Sequence, residues 1–205
     1  MTPSSINEHV QALLARIGSP AEPQYLAVEP VPYAIRNECI AAVTEKIRRD
    51  GGSRTMGWQI WQGDIVIEGE MHAVWCAPDA TLHDVTPKPD GIDRILFLPD
   101  PRLVYAGRQV DNVRLNISGN PVGDDFIRAT EGLFRLMNKG ERASQETVSL
   151  SPDDLFLMQF LVNMQSGTQQ MVHQYLGPSV LCLCGSGDAY QSCHRVQLSD
   201  ALAAI

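Results

Sequence analysis

Residues 182–194 read Cys-Leu-Cys-Gly-Ser-Gly-Asp-Ala-Tyr-Gln-Ser-Cys-His, and no other stretch restricts the fold as tightly. Two thiols two positions apart, then a Cys-His pair after a Gly-Ser-Gly turn, offer four sulfur and nitrogen ligands. That is the ligand set of a closed tetrahedral Zn²⁺ site. Gly185 and Gly187 let the backbone turn closely around an ion. A bound metal would also stabilise a segment expected to be too short for a core of its own. The total of five cysteines is odd, and no secretion signal accompanies it, so a disulfide framework is a poor reading. Cys182, Cys184, Cys193 and His194 are therefore expected to hold a structural zinc ion. Four protein ligands leave no open position for catalysis.

The other 192 of the 205 residues must fold around an ordinary core, and a chain that is 44% hydrophobic and 20% charged can build one. Ser5-Ile6-Asn7-Glu8 has the form of a capping box, followed by Val10, Leu13, Leu14 and Ile17 at helical spacing and stopped by Gly18. Residues 19–34 carry four prolines and read as an extended connector. Asn37 is placed to cap a helix over 37–50, closed by Gly51-Gly52. Strand-like text runs from Thr55 to Phe97. Within it Asp64–Cys76 alternates, with Ile65, Ile67, Met71, Ala73 and Trp75 on one face and Glu68, Glu70 and His72 on the other. Residues 81–86 read as the return strand of a hairpin, 92–98 as a further strand, and 99–120 as loops with one short strand. A helix is expected over 121–139. Another begins at Ser151-Pro152-Asp153-Asp154, which combines an N-cap, an N1 proline and an acidic first turn, and runs to about Tyr175. Helices flanking a hairpin-rich sheet make an α+β pattern.

Cys39 would occupy the first turn of the 37–50 helix. Unpaired N–H groups and the helix dipole favour a thiolate there. A nucleophilic thiol needs a base and a group that orients the base. His72 projects from the polar face of its strand, and Asp84 lies on the return strand. A connection with an odd number of residues would bring the two to the same face as near neighbours; a two-residue turn would oppose them. Glu70 is the fallback carboxylate and Glu68 a weaker one.

Two resemblances attach to these residues. The segment 182–194 is similar to the SEC-C motif, which implies a structural zinc site that often docks other proteins. Leu183 and Asp188 depart from that pattern. The order Cys39, His72-Ala73-Val74-Trp75 and Asp84-Val85-Thr86-Pro87 resembles the transglutaminase-like branch of the papain-like superfamily over about residues 33–98. It implies thiol-dependent acyl chemistry on an amide: a Cys-His-Asp triad of Cys39, His72 and Asp84, acting as peptidase, amidase, deamidase or transglutaminase. The oxyanion would be met by the Cys39 backbone N–H and a side-chain amide, Asn37 or Gln59. The flanks of Cys39 depart from that family's pattern. The implied organisation is an N-terminal helix (1–18), a catalytic domain with a papain-like antiparallel sheet (33–120), a helical region (121–176) and the zinc tail (179–205).

A second reading, from a different class, is a non-enzymatic adaptor that docks a partner through the zinc tail. With 24 acidic against 16 basic residues and a net charge of −8, nucleic acid and anionic membranes are not expected partners. A protein, a peptide or a small amide is the expected substrate. No leader or spanning segment is visible, so a soluble, cytoplasmic protein is expected.

Overall fold

The computed structural model describes residues 1–89, 91–145 and 147–205. The chain divides into two compact units, one of residues 1–63, 67–106 and 112–114, the other of 64–66, 107–111 and 115–205.

The first unit is built on an antiparallel sheet. Helix α1 (Glu8–Ile17) is followed by strand β1 (Gln24–Ala27), helix α2 (Cys39–Asp50) and strands β2 (Ser53–Gln62), β3 (Val66–Cys76), β4 (Leu82–His83) and β5 (Arg94–Pro99). The strand order is β1-β5-β2-β3-β4, and a parallel bridge between Val28 and Asp84 brings the two ends together, so the sheet nearly closes on itself. A further strand, β6 (Val113–Asn116), pairs with β3 off this path. Register follows from the alternation in β3. Gly57 pairs with His72, Gln59 with Glu70 and also with Phe97, so these side-chain positions share one face. On that face Leu26, Val74, Ile95 and Phe97 form a core cluster. The opposite face carries Ala73, against which Cys39, Ala42 and Val43 of α2 pack together with Val85.

Several local expectations are corrected here. Helix α1 is capped by Asn7, whose side chain accepts from the Val10 N–H; Ser5 and Glu8 do not form a box. The proline-rich connector contains β1, since Gln24–Ala27 finds an edge of β5 to pair with. Asn37 does not cap α2. It sits at φ 69°, a left-handed conformation asparagine tolerates, and the N-cap is Glu38, without a side-chain cap bond. The return strand shrinks to two residues because the chain leaves β3 at Asp84 to meet Val28.

The second unit is helical. Helices α3 (Val122–Met137) and α4 (Pro152–His173) share a core of Ala129, Leu136, Leu161, Met164 and Met171. Ser151 caps α4 by accepting from the Asp154 N–H. The tail, expected to be too short for a core of its own, packs into the core of α3 and α4. Helix α5 spans His194–Ala203, and its Leu198 is fully buried with Tyr190 and Cys182 in the α3–α4 cluster. Asp125, fully buried on α3, ties the tail down through Tyr190 Oη at 3.2 Å and Arg195 Nε at 3.0 Å. Among the described residues no helix is long and apolar enough to cross a membrane.

Candidate functional site

Cys39 is the first residue of α2 and is buried. Because no side chain caps this helix, its first-turn N–H groups keep their donor capacity. The thiol lies against the Ala73 backbone and the His72 imidazole. β4 pairs with β3 only at Trp75 and Cys76.

The hairpin decides whether His72 and Asp84 meet. Cys76 pairs with Leu82 and Trp75 with His83, so five residues, 77–81, form the connection. That odd number puts Asp84 on the face of His72, one pair further along. His72 Nε2 lies 3.1 Å from Asp84 Oδ1. The same oxygen accepts from the Thr86 N–H at 3.1 Å. Phe97 packs edge-on against the imidazole, with ring centroids 6.5 Å apart. His72 and Asp84 are thus in contact, and Cys39, at the start of α2, is near enough for the imidazole to act on its thiol. His72 is 5% exposed and Asp84 0%, so the face expected to be polar and solvated is closed over.

A residue that the sequence did not single out completes the cluster. Lys88 Nζ lies 2.9 Å from Asp84 Oδ2 and 3.2 Å from His72 Nε2, with its side chain almost wholly buried. Its only signal was a Lys between two prolines, four positions after Asp84.

The four groups perturb one another. Burial pushes the Cys39 thiol up, but His72, the Ala73 backbone and the Lys88 charge outweigh it and hold the thiol below its ordinary value. Burial pushes His72 down; Asp84 and Cys39 reverse this and raise it, against Lys88. Burial likewise opposes ionisation of Asp84, and His72 and Lys88 together hold its carboxyl below the ordinary range. A lowered thiol beside a raised imidazole widens the pH interval in which thiolate and imidazolium coexist.

The two amides behave differently. Asn37 is exposed, two residues before the thiol. Gln59 is 1% exposed on the His72 face, and its Nε2 has no hydrogen-bond partner among the described residues. The fallback acids are committed elsewhere: Glu70 accepts from Trp61 Nε1 at 2.6 Å, and Glu68 from Asn112 and Arg114.

In the helical unit, one ligand atom each from Cys182, Cys184, Cys193 and His194 lie within 4.8 Å of one another, a group that could hold a metal ion. Cys182 Sγ is 3.2 Å and Cys193 Sγ 3.4 Å from His194 Nδ1, and the Cys184 and Cys193 sulfurs are 3.7 Å apart. The Ser186 hydroxyl and backbone N–H draw the Cys184 thiol down to about 6, toward the thiolate a metal would need. Phe160 stacks on the His194 ring.

Neither a family model, nor a curated protein, nor a solved structure matches this chain.

Proposed function

We propose that the sheet unit is a thiol enzyme of papain-like, transglutaminase-like type carrying out acyl chemistry on an amide. The observation that carries the reading is the buried contact of His72 with Asp84 beside a thiol held below its ordinary pKa at the uncapped start of α2. Cys39 would attack the carbonyl carbon. His72 would pass its proton to the departing amine, with Asp84 orienting the ring. The N–H groups of the first turn of α2 would meet the oxyanion. Water as second acceptor makes the enzyme a hydrolase; an amine makes it a transferase.

The test is the pH dependence of Cys39 alkylation by iodoacetamide, with zinc present to protect the tail thiols. Fast labelling well below the free-thiol pKa of about 8.5, slowed by His72→Ala, is the expected result. Labelling that rises only near pH 8–9 and ignores His72 would sink the reading.

We assign the Cys182, Cys184, Cys193 and His194 cluster to structural zinc. A tetrahedron with Zn–S near 2.3 Å and Zn–N near 2.0–2.1 Å has S···S edges of about 3.8 Å and S···N edges of about 3.5 Å. The sulfur pair at 3.7 Å and the Cys193–His194 pair at 3.4 Å fit it. A second role for this unit, docking a protein, is favoured by a groove of about 220 Å³ that takes in Cys182, Cys184 and His194 of the cluster and extends over Phe160, Met164 and Met171. Cys182→Ser would then weaken partner binding as well as zinc content.

A further inference from the structure

We infer that Lys88 is a positioning residue of the thiol site: a second cation on Asp84 that allows His72 to release its proton. The inference rests on the reading of Cys39 as nucleophile. Lys88 and His72 share one carboxylate, Lys88 on Oδ2 at 2.9 Å and His72 on Oδ1 at 3.1 Å, and Lys88 Nζ is also 3.2 Å from His72 Nε2. The carboxylate they share has no solvent contact.

The charges explain why a second cation is needed. In the resting site the Cys39 thiolate and Asp84 carboxylate are balanced by the His72 imidazolium and the Lys88 ammonium. Attack forms the Sγ–C bond. Collapse breaks the C–N bond as the His72 proton moves to the amine nitrogen. Thioester sulfur and imidazole are then both neutral, and Asp84 is still a buried carboxylate. If His72 were its only cation, releasing the proton would leave that charge uncompensated in a low dielectric, and the proton would be held back. With Lys88 the carboxylate keeps a partner, and the summed charge is zero before and after the transfer. The contact to Nε2 acts in the same direction. An ammonium at that distance repels an imidazolium, while Nε2 keeps its own proton on Asp84 and the proton released is the one on Nδ1. In the second half, water or an amine attacks the thioester, His72 takes up one proton, and the thiolate leaves. The site returns to its starting charges.

Among the described residues, the titratable groups acting on His72 are Cys39, Asp84 and Lys88. Phe97 presents a ring edge, and Glu70 and Glu68 are turned to Trp61 and Arg114.

The experiment uses the full chain with Cys39 driven to complete S-carboxamidomethylation, which leaves a neutral sulfur as in the thioester. His72 is titrated by NMR with labelled histidine, its signal assigned with His72→Asn. In Lys88→Met the His72 pKa should rise by about one unit or more relative to the unmutated chain. Lys88→Arg, which keeps the charge, should stay near the unmutated value. Equal His72 values with and without the lysine, or an Arg variant that shifts as far as Met, would overturn the inference. If Lys88→Met does not fold, Lys88→Gln replaces it with the same reading. In addition, labelled lysine in the unmutated alkylated chain must show Lys88 as ammonium while His72 is neutral; a neutral amine there overturns it. Slow, His72-independent alkylation would remove the nucleophile reading. Fast alkylation with a His72 titration indifferent to Lys88 would remove this inference alone.

Discussion

Replacing Asp84 with Asn probes both the stability and the electrostatics of the sheet unit. Asp84 is fully buried; His72 Nε2 and the Thr86 N–H bond to its Oδ1, and the Lys88 ammonium forms an ion pair with its Oδ2. Asn keeps one acceptor oxygen for His72 and Thr86, but it points an amide donor at the Lys88 ammonium. A buried cation is then stranded. Removing one partner of a buried ion pair costs about 3–5 kcal/mol. With a urea m-value near 2 kcal/mol per M, the unfolding midpoint should fall by about 2 M. The chain's three tryptophans, Trp58, Trp61 and Trp75, all lie on β2 and β3, so their fluorescence follows this unit. Asp84→Asn/Lys88→Met removes the stranded charge, and it should be more stable than the sum of the two single losses implies, by about 1 kcal/mol or more. Cys39 alkylation in Asp84→Asn should move toward the free-thiol profile, because the carboxylate that raises His72 is gone. A single variant within about 1 kcal/mol of the parent, or strictly additive losses in the double variant, would refute this account of the site.

Gly57 pairs with His72, and a Cβ there would lie 2.3 Å from the Leu98 carbonyl oxygen and 2.5 Å from the Phe97 ring. Gly57→Ala should cost about 1–3 kcal/mol in urea unfolding and slow Cys39 alkylation, since Phe97 packs on His72; unchanged labelling would separate the two. Arg102 above all, opposed by burial and helped by Trp58, holds the Asp100 carboxyl down to about 2. A depressed carboxyl contributes stability above its unfolded value of about 3.9 that is lost as pH falls toward 2. Asp100→Asn should therefore flatten the fall in stability between pH 4 and 2, and an unaltered slope would count against it. Metal analysis should find one zinc per chain, lost in Cys184→Ser. Chelation should lower the thermal midpoint of the helical unit yet leave α5 folded at 25 °C by far-UV circular dichroism, because Leu198, Tyr190 and the Asp125 contacts anchor it. Melting of α5 on chelation would contradict that anchoring.

Much of this protein is written in local chemistry, and that part was legible. Ser151-Pro152 starts α4 because a cap and a fixed φ act within one turn. The four metal ligands fall within thirteen residues, so spacing alone nearly assembles them. The alternation in β3 separated the faces of Ala73 and His72 correctly. What depended on distant partners was not legible. Strand β1 exists because β5 offers it an edge, although its own sequence reads as connector. Helix α5 is held by a core contributed by α3 and α4, so its weak amphipathic pattern gave no warning. Glu70 was a reasonable partner for His72 until pairing of β2 with β3 supplied Trp61. The meeting of His72 with Asp84 turned on whether the hairpin connection held an odd number of residues, which only strand register could fix. Lys88 enters the site through its ion pair with Asp84, which buries an amine that sequence alone would leave in water. Residue types and short spacings set the chemistry this chain can carry. Burial and long-range strand pairing set which of those groups touch, because both are properties of the whole packed sheet.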